Sequence, residues 1–240
     1  MATTWVHACA AAGKLAPLRE AIEADGIDVN LRDERGRTAM HAAVDNRKHH
    51  VLEYLLSRNE INAEVKTNHG HTPLHTAMME GNDEAIRLLL RHNVNLNDTT
   101  DSGASYLHVC IAYGAENVRN NTVRRLLDLG MWADLPDDDG DTPLVMAIIF
   151  GHFDIMRVLI ERGADVSSRN KSGITPLHHA TMSSQPVTTI NLLMDHGANI
   201  CATDNDGHTP LALAFRHKRS CCVNALRAHG AEMDELMTLL

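Results

Sequence analysis

Histidine is the residue type in this chain that could most readily do chemistry, because it occurs 16 times in 240 residues. An imidazole can ligate metals and transfer protons near neutral pH. Two groups of histidines are close in sequence, His49-His50 and His69-Gly70-His71. Neither group is joined by a cysteine or a carboxylate at the spacing of known zinc sites. We therefore predict no metal-binding residues.

An acidic run is the second candidate for chemistry, formed by Asp137-Asp138-Asp139 with Asp141. Carboxylates at this density could hold a cation, but the run lacks the loop spacing and the terminal Glu of a calcium hand. Short Asp-rich stretches are also common in turns, where the side chains accept hydrogen bonds from the backbone. The sequence predicts a solvated acidic patch on a turn.

Enzymatic motifs are missing from the sequence. It contains no Gly-x-Ser-x-Gly, no phosphate-cradling Gly-x-x-x-x-Gly-Lys and no His-Glu-x-x-His. We predict that the chain is not an enzyme, with no catalytic residues and no cofactor. The five cysteines are odd in number and include no Cys-x-x-Cys spacing. Reduced thiols are the simplest account, which favours the cytosol and also the nucleus.

The overall charge restricts the class of partner. The formal charge is −9 and the isoelectric point is near 5.9. Phosphate binding needs clustered Lys and Arg, so we predict no nucleic acid partner and no anionic membrane partner. No stretch reaches the roughly 18 apolar residues that are needed to span a bilayer. The first residues also lack the basic region of a secretory signal.

The elements that must position all these residues are repeated along the chain. A tetrapeptide of the form Thr-Pro-Leu-His recurs with its first residue separated by 34, 33, 37, 33 and 34 positions. The copies begin at Thr38, Thr72, Ser105, Thr142, Thr175 and Thr209, and a degenerate earlier copy begins at Thr4. Self-similarity at this period indicates a stack of small units, each of which buries its apolar face against its neighbours.

Each residue of the third copy has a physical role in a helix-turn-helix unit. Thr72 can cap the first helix, and Pro73 occupies the first helical position. A backbone N–H at this position would have no partner within the helix, so proline is tolerated there. Leu74 and the small Ala77 lie on one face of that helix, so that the next helix can approach closely. Gly81 ends the helix. The pattern predicts two short helices in each unit.

These units resemble the ankyrin repeat consensus over nearly the whole chain. The segments Asn68–Ala77 and Asp139–Leu144 match it closely. The resemblance implies an all-α ankyrin-repeat solenoid of helix-turn-helix units joined by short β-turn fingers, in one domain over 1–240. Its seven units span approximately 1–33, 34–67, 68–100, 101–137, 138–170, 171–204 and 205–240.

In the family, the histidine of the tetrapeptide hydrogen-bonds to the backbone of the neighbouring finger, which ties adjacent units together. The resemblance assigns this structural role to His41, His75, His108 and His178, and by extension to His7.

Four segments depart from the repeat pattern. Four extra residues within 115–122 predict an enlarged loop between the two helices of the fourth unit. The second unit lacks the Gly-Ala step at 59–64, which predicts an irregular finger. The sixth unit replaces the helix-ending Gly by Ser183–Pro186. The apolar stretch 236–240 is interpreted as one docked helical turn or as the edge of a larger protein.

Ankyrin arrays hold partners on a concave surface made of finger tips and of the exposed ends of the first helices. By this resemblance, the variable helix ends of the middle units carry five large apolar residues, here called the helix-end residues: Met79, Tyr113, Ile149, Phe150 and Met182. The finger tips add Asp138, Asp139 and Asp141, and Trp132 is a further exposed aromatic candidate. An apolar groove with an acidic rim suits a basic, amphipathic or extended peptide. The alternative is that these side chains pack between adjacent helices.

The resemblance predicts a monomeric, non-enzymatic protein–protein interaction module, and two versions of this function stay open. One is a stand-alone inhibitor, scaffold or adaptor. The other is the substrate-targeting domain of a larger protein, such as a ubiquitin-ligase receptor or a host-directed effector. Asn30 and Asn97 also align with the finger asparagine that an asparaginyl hydroxylase modifies in many ankyrin proteins.

Overall fold

The computed structural model of the chain describes residues 2–92 and 94–232. These residues form fourteen α-helices, and their β structure is one isolated bridge between Thr99 and Ser105. The helices are α1 (Ala2–Ala12), α2 (Leu15–Glu23), α3 (Ala39–Asp45), α4 (His49–Leu56), α5 (Pro73–Met79), α6 (Asp83–Arg91), α7 (Tyr106–Tyr113), α8 (Glu116–Asp128), α9 (Pro143–Phe150), α10 (Phe153–Glu161), α11 (Pro176–Ala180), α12 (Pro186–Asp195), α13 (Pro210–Arg216) and α14 (Ser220–Ala228). The all-α fold class is confirmed.

The first helix of a unit begins at its Thr-Pro-Leu-His motif because the motif closes a capping box. In α5, the Nδ1 atom of His75 accepts the N–H of Thr72 at 3.2 Å, and the hydroxyl oxygen of Thr72 accepts the N–H of His75. Here histidine has the role that Glu or Gln has in the usual capping box. The same box starts α3, α7 and α11.

In five units the first helix ends where the backbone turns into the left-handed region, whereas Gly114 after α7 has φ −58°. Gly151 follows α9 with φ 72°, a conformation that glycine adopts without the steric cost of a Cβ atom. The chain then enters the second helix within a few residues. The two helices of a unit can therefore pack antiparallel over a short connection.

The described chain divides between Thr122 and Val123 into two compact parts. In the first part, α3 packs on α1 and α5, and α5 packs on α7. In the second part, α11 packs on α9 and α13. Alanines that are fully buried in the first helices, including Ala43, Ala77 and Ala147, let neighbouring helices approach closely.

The predicted enlarged loop of the fourth unit is wrong. Only Gly114 and Ala115 connect α7 to α8, and the extra residues lengthen α8 to 13 residues, whereas the other second helices have 8 to 10. Glu116 places a negative charge in the first turn of α8, which the helix dipole favours. The Nε of Arg119 donates to the carbonyl of Gly114 at 2.9 Å and fixes the short connection.

The other departures are described in part. In the sixth unit, where Ser183–Pro186 replaces the helix-ending Gly, α11 has only five residues and the connection over 181–185 precedes α12. The apolar stretch 236–240 lies outside the described residues. In the described part of the chain, no helix is long and apolar enough to cross a membrane. The location in the cytosol or nucleus stays a prediction.

Candidate interaction surface

Three of the motif histidines, His7, His41 and His178, bond to neighbouring fingers, as the resemblance predicted. The Nδ1 atom of His41 accepts the N–H of Thr38 at 3.1 Å, so its Nε2 carries the proton and donates to the carbonyl of His71 at 3.1 Å. His178 makes the equivalent bond to His208 at 3.0 Å. His7 bonds to the carbonyl of Arg37 at 2.7 Å. These imidazoles are used by the fold.

Burial keeps His41, His75 and His178 neutral. It lowers the pKa of His41 to about 4 and the pKa of His75 to about 3, and it lowers the pKa of His178 as well. The cause is the cost of placing an imidazolium ion where water is excluded. A neutral ring is also the form that can accept at Nδ1 while it donates at Nε2.

Tyr106 is a structural residue that sequence reasoning missed. It stands where four other units have proline, at the first position of α7, and it is fully buried. The centroids of the Tyr106 and His75 rings are 4.1 Å apart, and the hydroxyl oxygens of Tyr106 and Thr72 are 3.0 Å apart. The only sequence signal was the replacement of proline by a large aromatic residue inside the motif.

The acidic run has the geometry of a turn. Asp137 accepts the N–H groups of Asp139 and Asp141, each at 2.9 Å. Asp138 and Asp139 are exposed. A second finger has the same arrangement: Asp204, Asp206 and His208 offer ligand atoms within 4.8 Å of one another, and Asp204 already accepts two N–H groups of its own turn.

Asp141 differs from the predicted acidic rim. Its carboxylate is half-buried and accepts the side-chain N–H of Asn170 at 2.8 Å, so it joins two successive fingers. It also lies 3.8 Å from the Nε2 atom of His179. Burial lowers the pKa of His179 in spite of the facing carboxylate, because the desolvation cost outweighs the attraction. Among the predicted acidic residues of this finger, the exposed ones are Asp138 and Asp139.

The helix-end residues are mostly exposed. In the first part of the chain, Tyr113 at the end of α7 is 63% exposed and Met79 is half-buried. In the second part, Ile149, Phe150 and Met182 are 45–51% exposed. Ile149 and Phe150 are the last two residues of α9, and Met182 follows α11. Since α9 and α11 pack together, these three residues lie at the ends of neighbouring helices. Side chains exposed to this extent are not buried between adjacent helices, so they are accessible to a partner protein.

Met79 also lines a groove of about 510 Å³ in the first part of the chain. Finger residues on one side, among them His69 and His71, and the helix ends Asp45 and Glu80 complete its lining. The groove therefore lies between finger tips and first helices, where the resemblance predicted a binding surface.

The remaining candidates lie on the turns after the second helices. Trp132 is 73% exposed, which makes it the most exposed large apolar residue of the described chain. Asn97 is exposed. The side chain of Asn30 donates to the carbonyl of Glu60 and accepts the N–H of Asn62, both at 2.8 Å. Hydroxylation of either asparagine stays a prediction.

Comparison with known proteins gives a family and several relatives. A family model described as "Ankyrin repeats (3 copies)" matches residues 5–100, 47–120, 95–170 and 163–236. The putative palmitoyltransferase ZDHHC13 of Danio rerio is 28% identical over 206 residues, which are 84% of this chain and 31% of that protein. The NF-kappa-B inhibitor cactus of Drosophila yakuba is 31% identical over 71% of this chain and 34% of its own length.

A solved structure extends the similarity over nearly the whole length. The ankyrin repeat domain of human ASB11 superimposes with a TM-score of 0.74 at 28% identity, and the match covers 95% of this chain and 99% of that domain. By contrast, the chain spans about a third of the length of each of the two curated relatives.

Proposed function

Since the chain belongs to the ankyrin repeat family, we propose that it is a non-catalytic module that binds a partner protein through its helix-end residues and finger tips. The observation that carries the proposal is the 45–63% exposure of Tyr113, Ile149, Phe150 and Met182. Large apolar side chains that contribute little to the core are typical of interface anchors.

The neighbours of these residues support a binding role. Ile148, directly before Ile149 and Phe150 in α9, is fully buried. The helix therefore packs on its neighbours through Ile148 and earlier residues, and its last two side chains are not needed for that packing. The rings of Phe150 and His152 are nearly parallel, with an interplanar angle of 12° and their centroids 6.1 Å apart. Flat aromatic surfaces bury large areas at low entropic cost when a partner docks.

The charge of the chain bears on the chemistry of the partner. The formal charge is −9, and the exposed Asp138 and Asp139 lie on the finger that leads into α9. Electrostatic complementarity favours a partner with Lys or Arg beside its apolar residues. We propose a basic or amphipathic protein segment as the occupant.

We propose two alternatives for what partner binding achieves. A stand-alone inhibitor or adaptor would act by occupying its partner. A targeting domain within a longer protein would hold a substrate for a separate functional domain, which agrees with a chain that spans about a third of the two relatives named above. Both roles need the same binding surface.

We expect the double variant Tyr113→Ala/Phe150→Ala to lose partner binding while it stays folded. Each side chain should contribute about 1–3 kcal/mol to binding, the scale of interface anchors. The change in the free energy of unfolding should stay within about 1 kcal/mol, because both side chains are exposed. Affinity capture with quantitative mass spectrometry, together with urea unfolding of each protein, measures both quantities.

A matched control is available in the same fold. Val187 is an exposed apolar residue at the start of a second helix, so Val187→Ala removes apolar surface outside the proposed site. A protein captured by the wild type and by Val187→Ala, but not by the double variant, supports the proposal. Equal capture by all three proteins would exclude the helix-end residues as the site.

A further inference from the structure

The turns that leave the second helices are closed by one recurring hydrogen bond. In five of them, an Asp or Asn side chain accepts the backbone N–H two residues later, at 2.8–3.0 Å. The pairs are Asp28 with Asn30, Asn62 with Glu64, Asn95 with Asn97, Asp165 with Ser167 and Asn199 with Cys201. Such bonds stabilise turns, which explains the choice of Asp or Asn.

Trp132 occupies the equivalent position in the turn after α8. Its indole N–H is a donor only, so Trp132 cannot accept the bond that closes these five turns. Its side chain is 73% exposed and therefore contributes little to a core. The neighbouring Met131 is buried and anchors the turn. At this position, therefore, an exposed aromatic ring replaces a residue that would favour the turn.

Leu129, three residues before Trp132, is also an apolar residue at a position where the other units have a polar one. It is 50% exposed. The equivalent positions in the other units are all polar: Asp25, Asn59, His92, Arg162, His196 and His229. Two apolar side chains thus stand exposed on one turn, three residues apart, where every other unit carries polar residues. Exposed apolar residues grouped in this way mark interaction sites.

The charge around this turn indicates what could cover it. The sequence between Arg125 and Arg157 contains no Lys or Arg and seven aspartates: Asp128, Asp134, Asp137, Asp138, Asp139, Asp141 and Asp154. Arg162 pairs with Asp128 at 2.8 Å and offsets one of these charges. Asp134 accepts the N–H of Asp165 at 2.9 Å, which adds another aspartate from the next turn. A cation is favoured both by these carboxylates and by the face of an indole.

We propose that Leu129 and Trp132 form a second docking site, separate from the helix-end residues, for a protein segment that carries Lys or Arg beside an apolar side chain. The apolar side chain packs on Leu129 and Trp132, and the cations meet Asp134 on this turn and Asp165 on the next. A second copy of this chain fits less well, because its charge of −9 would bring like charges together.

The variant Trp132→Asn separates binding from folding. Asparagine at this position can accept the N–H two residues later, as in Asn62, Asn95 and Asn199. We expect its melting temperature to equal or exceed that of the wild type, while the docking site is lost. A Trp that serves the fold would give the opposite result, a lower melting temperature.

The probe is a phage-displayed library of random 12-residue peptides, selected on the immobilised full chain with an excess of soluble Trp132→Asn protein as competitor. We expect the recovered peptides to be enriched in Lys and Arg around an aromatic or aliphatic residue. Synthetic copies should bind at least tenfold more weakly to Trp132→Asn and to Leu129→Asn. They should bind equally to the wild type and to Tyr113→Ala/Phe150→Ala, so this proposal and the proposed function fail independently.

Four results would overturn the proposal. The recovered peptides could lack Lys and Arg, or bind equally to Trp132→Asn. Trp132→Asn could melt at a lower temperature than the wild type. Sedimentation could show a dimer of the wild type that Trp132→Asn abolishes, which would make a second copy the occupant.

Discussion

Replacing Tyr106 by alanine should lower the free energy of unfolding by about 3–5 kcal/mol, the cost of truncating a large buried aromatic side chain. Tyr106 is fully buried, its ring lies 4.1 Å from that of His75, and its hydroxyl meets that of Thr72 at 3.0 Å. The variant leaves a cavity beside a capping box and removes the hydrogen bond. Urea unfolding monitored by circular dichroism measures the loss.

Two control variants separate the contributions of Tyr106. Tyr106→Phe keeps the ring and should cost about 1 kcal/mol, the value of one hydrogen bond. Tyr106→Pro restores the residue that starts α5, α9, α11 and α13, so the backbone should accept it. The cavity left by the aromatic ring remains in Tyr106→Pro, so we expect a loss of unfolding free energy close to that of Tyr106→Ala. Wild-type stability of Tyr106→Pro would contradict the packing role of the ring.

The protein should lose about 4 kcal/mol of stability between pH 7 and pH 5 through His41 and His75 alone. Their pKa values are about 4 and about 3 in the folded chain, against about 6.5 in an unfolded chain. Below pH 6.5 the unfolded state therefore binds protons that the folded state excludes. The stabilisation is present above pH 6.5 and is lost as the pH falls towards the folded values. Urea unfolding at half-unit pH steps measures this slope.

The double variant His41→Gln/His75→Gln tests the assignment of this slope. Glutamine can take the same position in a capping box and does not titrate. We expect a lower stability at pH 7 and a much flatter profile between pH 7 and pH 5. If the variant keeps the wild-type slope, other groups cause the loss of stability in acid.

The repeat fold was predictable because its signals are local. Thr72, Pro73 and Gly81 act within a few residues of their own positions, so the motif predicts the start and the end of α5 without knowledge of the neighbours. The role of His41 and His178 was available only from the family resemblance, because their second hydrogen bond reaches a carbonyl 30 residues away.

Features that depend on contacts between units were not predictable. Four extra residues in a repeat can enlarge a loop or lengthen a helix, and only the structure shows that they extend α8. Asp141 reads as one more acid of a run, yet it bonds to Asn170 in the next finger. The sequence predicted Trp132 as an exposed aromatic residue, but the turn bond that is missing at Trp132 emerges only from comparison with five other turns.

The central claim is that partners bind at the helix-end residues and finger tips. Hydrogen–deuterium exchange of the chain, alone and saturated with the partner identified by the capture experiment, tests it most directly. We predict slower exchange at the ends of α7 and α9, over 181–183 and in the finger 137–141. Protection confined to the second helices α10 and α12 would contradict the account.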